Sequence, residues 1–216
     1  HEKKQIAQIK YEKAKYEEDI ESMKKYAKQT SRLSQDMIKS SRELINAMGI
    51  PTIFAPSESD AQISFMNERG DIDYCASSDY DCLLHGARKL ILNLTLSQKR
   101  KLPGGKFVYI QPELIELRNV LKHLDVNQDQ LIILGILTGT DYNPGGIKGI
   151  GPKKALNLVQ KYKSFDALFE ELKPDFNWKQ IYAIFKSMPI MKNYQLTWKQ
   201  IDREKVLKIL VDEHDF

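Results

Sequence analysis

The spacing of hydrophobic and polar positions over residues 31–48 is helical, with apolar side chains at Leu33, Met37, Leu44, Ile45 and Met48. Gly49 and Pro51 follow directly, and both residue types end helices. The pattern therefore predicts a helix over 31–48. Residues 2–28 differ, because they are rich in Lys, Glu, Ala and Tyr and carry few strong hydrophobes. That composition predicts a solvated helix or arm.

Between residues 52 and 137, short apolar runs alternate with longer helical stretches. The predicted strands are 52–54, 74–77, 89–94 and 107–110, and the predicted helices are 58–69, 112–124 and 127–137. Ser57 is the predicted N-cap of the first of these helices. The alternation predicts an α/β fold, with a mostly parallel sheet flanked by helices.

The glycines between Thr140 and Gly151 predict a loop, and Pro152 at a first helical position predicts that a helix begins there and runs to 162. The rest of the chain is predicted to be helical. Its expected packing anchors are Trp178, Tyr182, Phe185 and Trp198.

Composition and charge narrow the class of protein. The chain has 216 residues, 42% of them hydrophobic and 29% charged, which excludes a disordered chain. No apolar run is long enough to cross a bilayer, so no membrane partner is predicted. Cys75 and Cys82 are too few for a disulfide scaffold, and we expect them to be buried in a protein from a reducing compartment. The net charge of +4 permits a polyanionic partner without requiring one.

Acidic residues stand at the ends of three predicted elements: Glu58 and Asp60, Asp79 and Asp81, and Asp141. In an open parallel sheet, functional groups collect beyond the carboxyl ends of the strands. Carboxylates gathered there repel one another unless a cation neutralises them, and hard divalent ions prefer such oxygen ligands. The clusters therefore predict a pair of Mg²⁺ or Mn²⁺ ions able to clamp a phosphodiester. Taken singly, each cluster also fits an ordinary helix cap or turn.

The segment 143–156, NPGGIKGIGPKKAL, predicts a hairpin that holds a phosphate. Glycines allow close approach of a ligand to the backbone, and a helix N-terminus with lysines attracts anions. The pattern indicates a helix–hairpin–helix motif that binds the DNA backbone and makes no base-specific contacts. Backbone carbonyls of such a loop can hold a monovalent cation. The alternative is a glycine-rich connector between two helices.

Taken together, these motifs resemble the flap endonuclease family of structure-specific nucleases, most closely its archaeal branch. The matching segments are GIPTIFAPSESDAQ at 49–62, SSDYDCLL at 77–84, NLT at 93–95, KLPGG at 101–105 and ILTGTDYNPGGIKGIGPKKAL at 136–156.

The resemblance implies a PIN-like nuclease domain joined to a helix–hairpin–helix DNA-binding subdomain. It implies an arch-like segment at 1–30, a nuclease portion at 31–141 and a helical region at 142–216. The implied activity is that of a structure-specific 5′ flap endonuclease and 5′ exonuclease, which hydrolyses DNA by two-metal-ion catalysis in replication and repair. The implied partner is DNA with a 5′ flap or another junction of single and double strands.

The resemblance also implies roles for individual residues. The implied metal ligands and catalytic residues are Glu58, Asp60, Asp79, Asp81 and Asp141. The implied DNA-binding residues are Lys28, Arg32, Gly146, Lys148, Gly149, Gly151, Lys153 and Lys154. A K⁺ ion is expected within 145–155, on the backbone carbonyls of Ile147 and Ile150.

The sequence departs from the family pattern in three ways. Asp60 stands where the family usually has Glu, the family's N-terminal third is missing, and its sliding-clamp motif is not visible. We expect the chain to pair with its missing N-terminal part or to oligomerise. Two alternatives to an active enzyme stay open: a junction-binding fragment without catalysis, and a scaffold that keeps only the fold. The expected location is the cytoplasm of an archaeal-type cell, or the nucleus of a eukaryotic one.

Overall fold

The structure is a computed structural model that describes residues 34–94, 99–102 and 105–216, together with Ile9, Lys10, Glu12, Lys13, Lys15, Tyr16, Asp19 and Ser22. The chain forms two compact units, one from Phe54–Tyr194 and one from His1–Ile53 with Gln195–Phe216. The predicted segment 1–30 lies largely outside the described residues, and the predicted three-part division stays a prediction. Within the described part of the chain, no helix has the length and apolar character needed to cross a membrane.

The described elements, in chain order, include both helices and strands up to residue 138 and are helical thereafter. They are α1 (Gln35–Ala47), α2 (Ser59–Arg69), β1 (Cys75–Ala76), α3 (Asp81–Leu84), β2 (Lys89–Leu92), β3 (Lys99–Lys101), β4 (Phe107–Tyr109), β5 (Glu113–Glu116), α4 (Leu117–Leu124), α5 (Gln128–Thr138), α6 (Pro152–Lys161), α7 (Phe165–Leu172), α8 (Trp178–Ser187) and α9 (Arg203–Leu207), the last continuing into a π-helical turn over Lys208–Asp212.

The smaller unit contains α1, and its described portion confirms the predicted helix there. The Ser34 side chain accepts the Met37 N–H at 3.1 Å and so caps the helix, while Gly49 leaves it with a φ of +80°. The segment 195–202 returns to the end of α1, where the Asp202 N–H donates to the Ala47 carbonyl at 2.8 Å. The prediction of continuous helix to the C-terminus is wrong over 188–202, and Trp198 is 72% exposed rather than a packing anchor.

The larger unit contains a three-stranded sheet in the order β1–β2–β5. Strands β1 and β2 run parallel with Cys75 opposite Leu90, and β2 and β5 run antiparallel with Leu90 opposite Ile115. The α/β class is confirmed, but the sheet is mixed rather than mostly parallel.

Three segments differ from the prediction, and one of them, at 113–116, makes the sheet mixed. Residues 112–124 were expected to be helical, yet Glu113–Glu116 pairs with β2 and the helix begins only at Leu117. Residues 107–110 were expected to join the main sheet, yet β4 pairs with β3 in a separate antiparallel ribbon. Residues 52–54 form no strand. At Glu113–Glu116, strand pairing, which depends on tertiary contacts, overrides the local helical preference.

Two hydrophobic clusters fill the larger unit, and α5 contributes to both. Ile132, Ile133, Ile136 and Leu137 of α5 are at most 1% exposed. A helix that is apolar on all sides is a buried helix, so α5 is the central support of this unit. Its N-terminus is closed by a reciprocal capping box between Asn127 and Gln130.

Candidate active site and nucleic-acid interface

The N-terminus of α2 carries two of the predicted acidic residues. Glu58, and not the predicted Ser57, is the N-cap, and its side chain makes no capping hydrogen bond. Its Oε1 instead accepts the Tyr142 hydroxyl at 2.5 Å. Asp60 lies in the first turn, and its Oδ1 accepts the Cys82 thiol at 3.3 Å. Neutral donors therefore contact both carboxylates and leave their negative charge uncompensated.

The turn between β1 and α3 carries the second acidic pair. The Asp79 N–H donates to Ser77 Oγ at 3.1 Å, and Asp79 Oδ1 accepts the Asp81 N–H at 2.9 Å. These bonds hold the chain in consecutive turns just after the parallel strand ends. Asp81 is then the first residue of α3, where the helix dipole favours a negative charge.

The loop after α5 carries Asp141, and a buried asparagine organises it. Asn143 is 6% exposed, and its Oδ1 accepts the Thr140 hydroxyl at 2.7 Å and the Thr140 N–H at 3.2 Å. Its Nδ2 donates to the Ile136 carbonyl at 2.7 Å. The tight turn this creates presents Asp141 at the surface, next to the half-buried Tyr142.

Electrostatics shows that the three acidic segments converge. The pKa of Asp81 is raised from 3.8 to about 6, first by burial and then by Asp79, Asp141, Glu58 and Asp60. Each of the other four predicted carboxylates therefore acts on the same carboxyl group. The neighbouring His85 has its pKa lowered by burial, which outweighs the opposing pull of Glu58, Asp60 and Asp79. The structure thus brings all five predicted acidic residues within electrostatic reach of one point.

The donor chemistry of this cluster fits a hard divalent cation, because all five side chains offer carboxylate oxygens and four of them raise the pKa of Asp81. Among the described residues, however, no three His, Cys, Asp or Glu side chains are close enough to make a compact metal-ligand group. The cluster therefore has the ligand types and the charge of a metal site, in a more open arrangement.

The predicted hairpin follows the Asp141 loop directly. Gly145, Gly146 and Gly149 all adopt positive φ, at +84°, +58° and +80°. Ile150 is 7% exposed and belongs to the hydrophobic core, while Ile147 packs against that core. The Ile147 carbonyl accepts the Ile150 N–H at 3.0 Å. Gly151 is the N-cap of α6, has no side chain to satisfy the first N–H groups, and is followed by Pro152 at N1.

The predicted phosphate-binding side chains are placed where a ligand could reach them. Lys148, Lys153 and Lys154 are all exposed, and the latter two lie in the first turn of α6. An ideal Cβ added at Gly149 or Gly151 meets nothing within 4 Å. The backbone is therefore open to a ligand at both positions. Lys28 and Arg32 lie outside the described residues.

Backbone packing joins the hairpin to the end of α5. A Cβ at Gly146 would stand 2.4 Å from the Leu137 carbonyl oxygen, and the Ile147 N–H donates to that carbonyl at 3.0 Å. A Cβ at Gly139 would stand 2.8 Å from the Gly146 nitrogen. Glycine is required on both sides of this contact. The loop that carries Asp141 and the hairpin that carries the lysines are thus parts of one rigid connection.

Three site residues escaped the sequence reasoning: Tyr142, Asn143 and Cys82. Tyr142 and Asn143 directly follow Asp141, so their position was a usable signal, although it does not reveal a bond to Glu58, 84 positions away. Cys82 was expected to be a buried small hydrophobe, and it is fully buried. The hydrogen bond from its thiol to Asp60 joins residues 22 positions apart, and only the folded structure could show it.

Comparison with known proteins identifies relatives of this chain. Residues 49–141 match the XPG I-region family. The chain is 45% identical to flap endonuclease 1 of Staphylothermus marinus over 97% of its own length and 61% of that protein, and 45% identical to flap endonuclease 1 of Pyrococcus abyssi over its whole length and 63% of that protein. The solved flap endonuclease-1 from Methanococcus jannaschii superimposes with a TM-score of 0.74 and 41% identity, over 92% of this chain and 59% of that one.

The fold is α/β and is that of the PIN-like nucleases. Within that class the resemblance to the flap endonuclease family is confirmed, and the chain is a flap endonuclease homologue. It spans about three fifths of the length of the curated relatives it matches.

Proposed function

We propose that this chain is part of a structure-specific 5′ flap endonuclease, with 5′ exonuclease activity, that hydrolyses DNA phosphodiesters in replication and repair. The observation that carries the proposal is the convergence of four carboxylates on Asp81, in the same compact unit as the lysine-bearing hairpin. A carboxyl group whose pKa is raised by burial and by specific neighbouring charges marks a candidate functional site.

The acidic cluster is the proposed metal site. Glu58, Asp60, Asp79, Asp81 and Asp141 would hold two Mg²⁺ or Mn²⁺ ions through their oxygens. When bound, these ions supply the positive charge that stabilises the transition state of phosphodiester hydrolysis. Burial and four neighbouring anions raise the pKa of Asp81 only to about 6, which is below neutral pH, so this carboxyl is still ionised there. Asp81 is therefore in its cation-binding form at neutral pH.

The hairpin is the proposed DNA-binding element. The open N-terminus of α6 offers free backbone N–H groups, and Lys153 and Lys154 add positive charge beside them. Gly146, Lys148, Gly149 and Gly151 complete the surface that would follow one strand's phosphates. The carbonyls of Ile147 and Ile150 would hold a K⁺ ion at the turn. None of these contacts reads a base, so the substrate is chosen by shape.

Further partners follow from the family resemblance. Lys28 and Arg32 would contact phosphates of the 5′ single strand. The sliding clamp would bind through a segment outside this chain, and the family's N-terminal part would complete the metal site. The proposed location is the compartment that contains the DNA, which is the cytoplasm in an archaeal-type cell.

A second candidate function is binding of DNA junctions without cleavage. It is favoured by the absence, within the part of the chain that the structure describes, of a compact group of three ligating side chains. A chain of this kind would still grip DNA through the hairpin.

Incubation with a labelled 5′-flap duplex distinguishes the two functions. With Mg²⁺ or Mn²⁺ present, release of the flap supports the nuclease, and a chelator must abolish it. Binding of the flap duplex without product at any metal concentration supports the second candidate. A blunt duplex of the same length is the control, because it should be bound more weakly and should release no flap-length product. A chain that neither binds nor cuts the flap would contradict both.

A further inference from the structure

Tyr142 connects the loop after α5 to the metal-binding end of α2. Its hydroxyl donates to Glu58 Oε1 at 2.5 Å, across 84 positions of sequence. As the N-cap of α2, Glu58 makes no capping bond of its own. Among the described residues, the Tyr142 hydroxyl is the one hydrogen-bond donor to the Glu58 carboxylate.

A long carboxylate side chain gains most from such a bond. Free Glu samples several rotamers, and restricting them to one costs conformational entropy. A hydrogen bond made before any ligand arrives fixes the carboxylate in advance and reduces that cost at the moment of binding. A neutral donor does this without cancelling the negative charge that attracts a cation.

The tyrosine is itself held from two sides. Its N–H donates to Thr140 Oγ1 at 3.2 Å, and its ring meets the edge of Phe185 with centroids 5.7 Å apart. Phe185 lies on α8, is 5% exposed, and also contacts the His85 ring at 5.0 Å. The hydroxyl therefore sits on a rigid support rather than on a mobile side chain.

We propose that Tyr142 is a positioning residue, which orients the Glu58 carboxylate toward a divalent cation through its hydroxyl. The proposal rests on the proposed function, because it requires that Glu58 is a metal ligand. Tyr142 does not contact the reacting atoms in this role. Its contribution is the orientation of a ligand, of the kind that partners behind metal ligands commonly make.

The chain offers two matched controls for this bond. The Tyr194 hydroxyl donates to Asp71, and the Tyr162 hydroxyl donates to Glu171. Both are phenol–carboxylate bonds in the same compact unit, at carboxylates outside the acidic cluster. Loss of either hydroxyl removes an equivalent bond without touching Glu58.

Calorimetric titration of the full chain with Mn²⁺, without DNA, tests the proposal. Tyr142→Phe keeps the ring and its contact with Phe185, and removes only the hydroxyl. We expect its Mn²⁺ affinity to fall about tenfold, while Tyr194→Phe and Tyr162→Phe bind Mn²⁺ like the unmodified chain. In a Glu58→Gln background the added Tyr142→Phe change should alter the affinity no further.

The outcomes separate the two hypotheses. If the unmodified chain binds Mn²⁺ and Tyr142→Phe binds it equally well, the positioning role is wrong and the metal site stands. An equal loss in all three tyrosine variants also overturns the role, because it would reflect general loosening of the fold. If the unmodified chain binds no Mn²⁺, the metal site fails and the positioning role fails with it.

Discussion

The acidic cluster and the glycine hairpin lie in the same compact unit but are built by opposite means. The cluster gathers side chains from three segments, and burial and mutual repulsion raise the pKa of Asp81 to about 6. The hairpin is one continuous segment whose shape comes from glycines at positive φ and from a backbone contact between Gly146 and the end of α5. The cluster thus carries electrostatic strain, whereas the hairpin is held by steric fit.

The difference teaches which substitutions each region tolerates. In a cluster of repelling acids, replacing one carboxylate should remove function and relieve strain together. In a close-packed hairpin, adding one methyl group should damage the fold and spare the local charge. Five predictions test this contrast, beginning with the largest expected effect.

Asp81→Asn should abolish flap cleavage if the chain is active, with a loss of at least about a thousandfold, equivalent to about 4 kcal/mol in the barrier. The amide keeps the size of the side chain and removes the charge that would hold a cation. Cleavage of a labelled 5′-flap duplex measures the change. Asp175→Asn, at an exposed carboxylate, is the control and should cut normally. Unimpaired cleavage by Asp81→Asn would remove this residue from the active site.

Gly146→Ala should destabilise the fold by about 3 kcal/mol. Its Cβ would lie 2.4 Å from the Leu137 oxygen and the residue has a φ of +58°. Gly149→Ala is the matched control, since it has a φ of +80° with nothing within 4 Å of the new Cβ and should cost only about 1 kcal/mol. Urea unfolding compares the two. Equal losses would show that the close contact is unimportant.

Asn143→Ala should lower the free energy of unfolding by about 2 kcal/mol, because it leaves the Ile136 carbonyl and the Thr140 groups without their buried partner. The same urea experiment measures the loss. Asn157→Ala, at an exposed position on α6, is the control and should change stability little. If both variants lose the same amount, Asn143 does not organise the Asp141 loop.

Asp81→Asn should also stabilise the metal-free chain, by about 1 kcal/mol after allowance for solvent screening of a half-buried group. Because the folded state raises the Asp81 pKa from 3.8 to about 6, folding takes up a proton in that window. The contribution of Asp81 to the stability of the unmodified chain therefore falls as pH rises from about 4 to 6, and the pH profile of the variant should lack this contribution. Thermal unfolding of both chains without metal over this pH range measures the difference in stability. Parallel profiles of stability against pH would contradict the electrostatic account.

Lys153→Ala should weaken DNA binding a few-fold and reduce the slope of log affinity against log salt by about 1, because one phosphate contact is lost. Fluorescence anisotropy at several salt concentrations measures both quantities. Lys122→Ala, on α4, removes the same charge away from the hairpin and should leave the slope unchanged. An unaltered slope for Lys153→Ala would place this lysine outside the interface.

The two regions also differ in how far they could be predicted. The hairpin could be predicted from the order of its glycines, isoleucines and lysines, because its conformation depends on residues close together in the sequence. The three acidic segments could also be recognised as candidate metal-binding segments, but each alone could be an ordinary helix cap or turn. Their convergence depends on a parallel pairing of β1 with β2 and on the position of α5.

Local patterns misled where pairing decided the structure. Residues 113–116 look like the start of a helix, yet they form β5 because the exposed edge of β2 accepts them. The sheet is mixed for this reason. Ser57 is a better intrinsic N-cap than Glu58, but the helix begins one residue later, with the Glu58 carboxylate bound by Tyr142 instead of by the helix.

By itself, the order of residues determined the α/β class, the family resemblance, the acidic positions and the conformation of the hairpin. These depend on periodicity, on glycine's access to positive φ and on short-range spacing. Only the tertiary structure decided that four carboxylates act on Asp81, that Tyr142 holds Glu58, and that Cys82 contacts Asp60. Those contacts join residues distant in sequence, and their strength depends on burial, which exists only once the chain has folded.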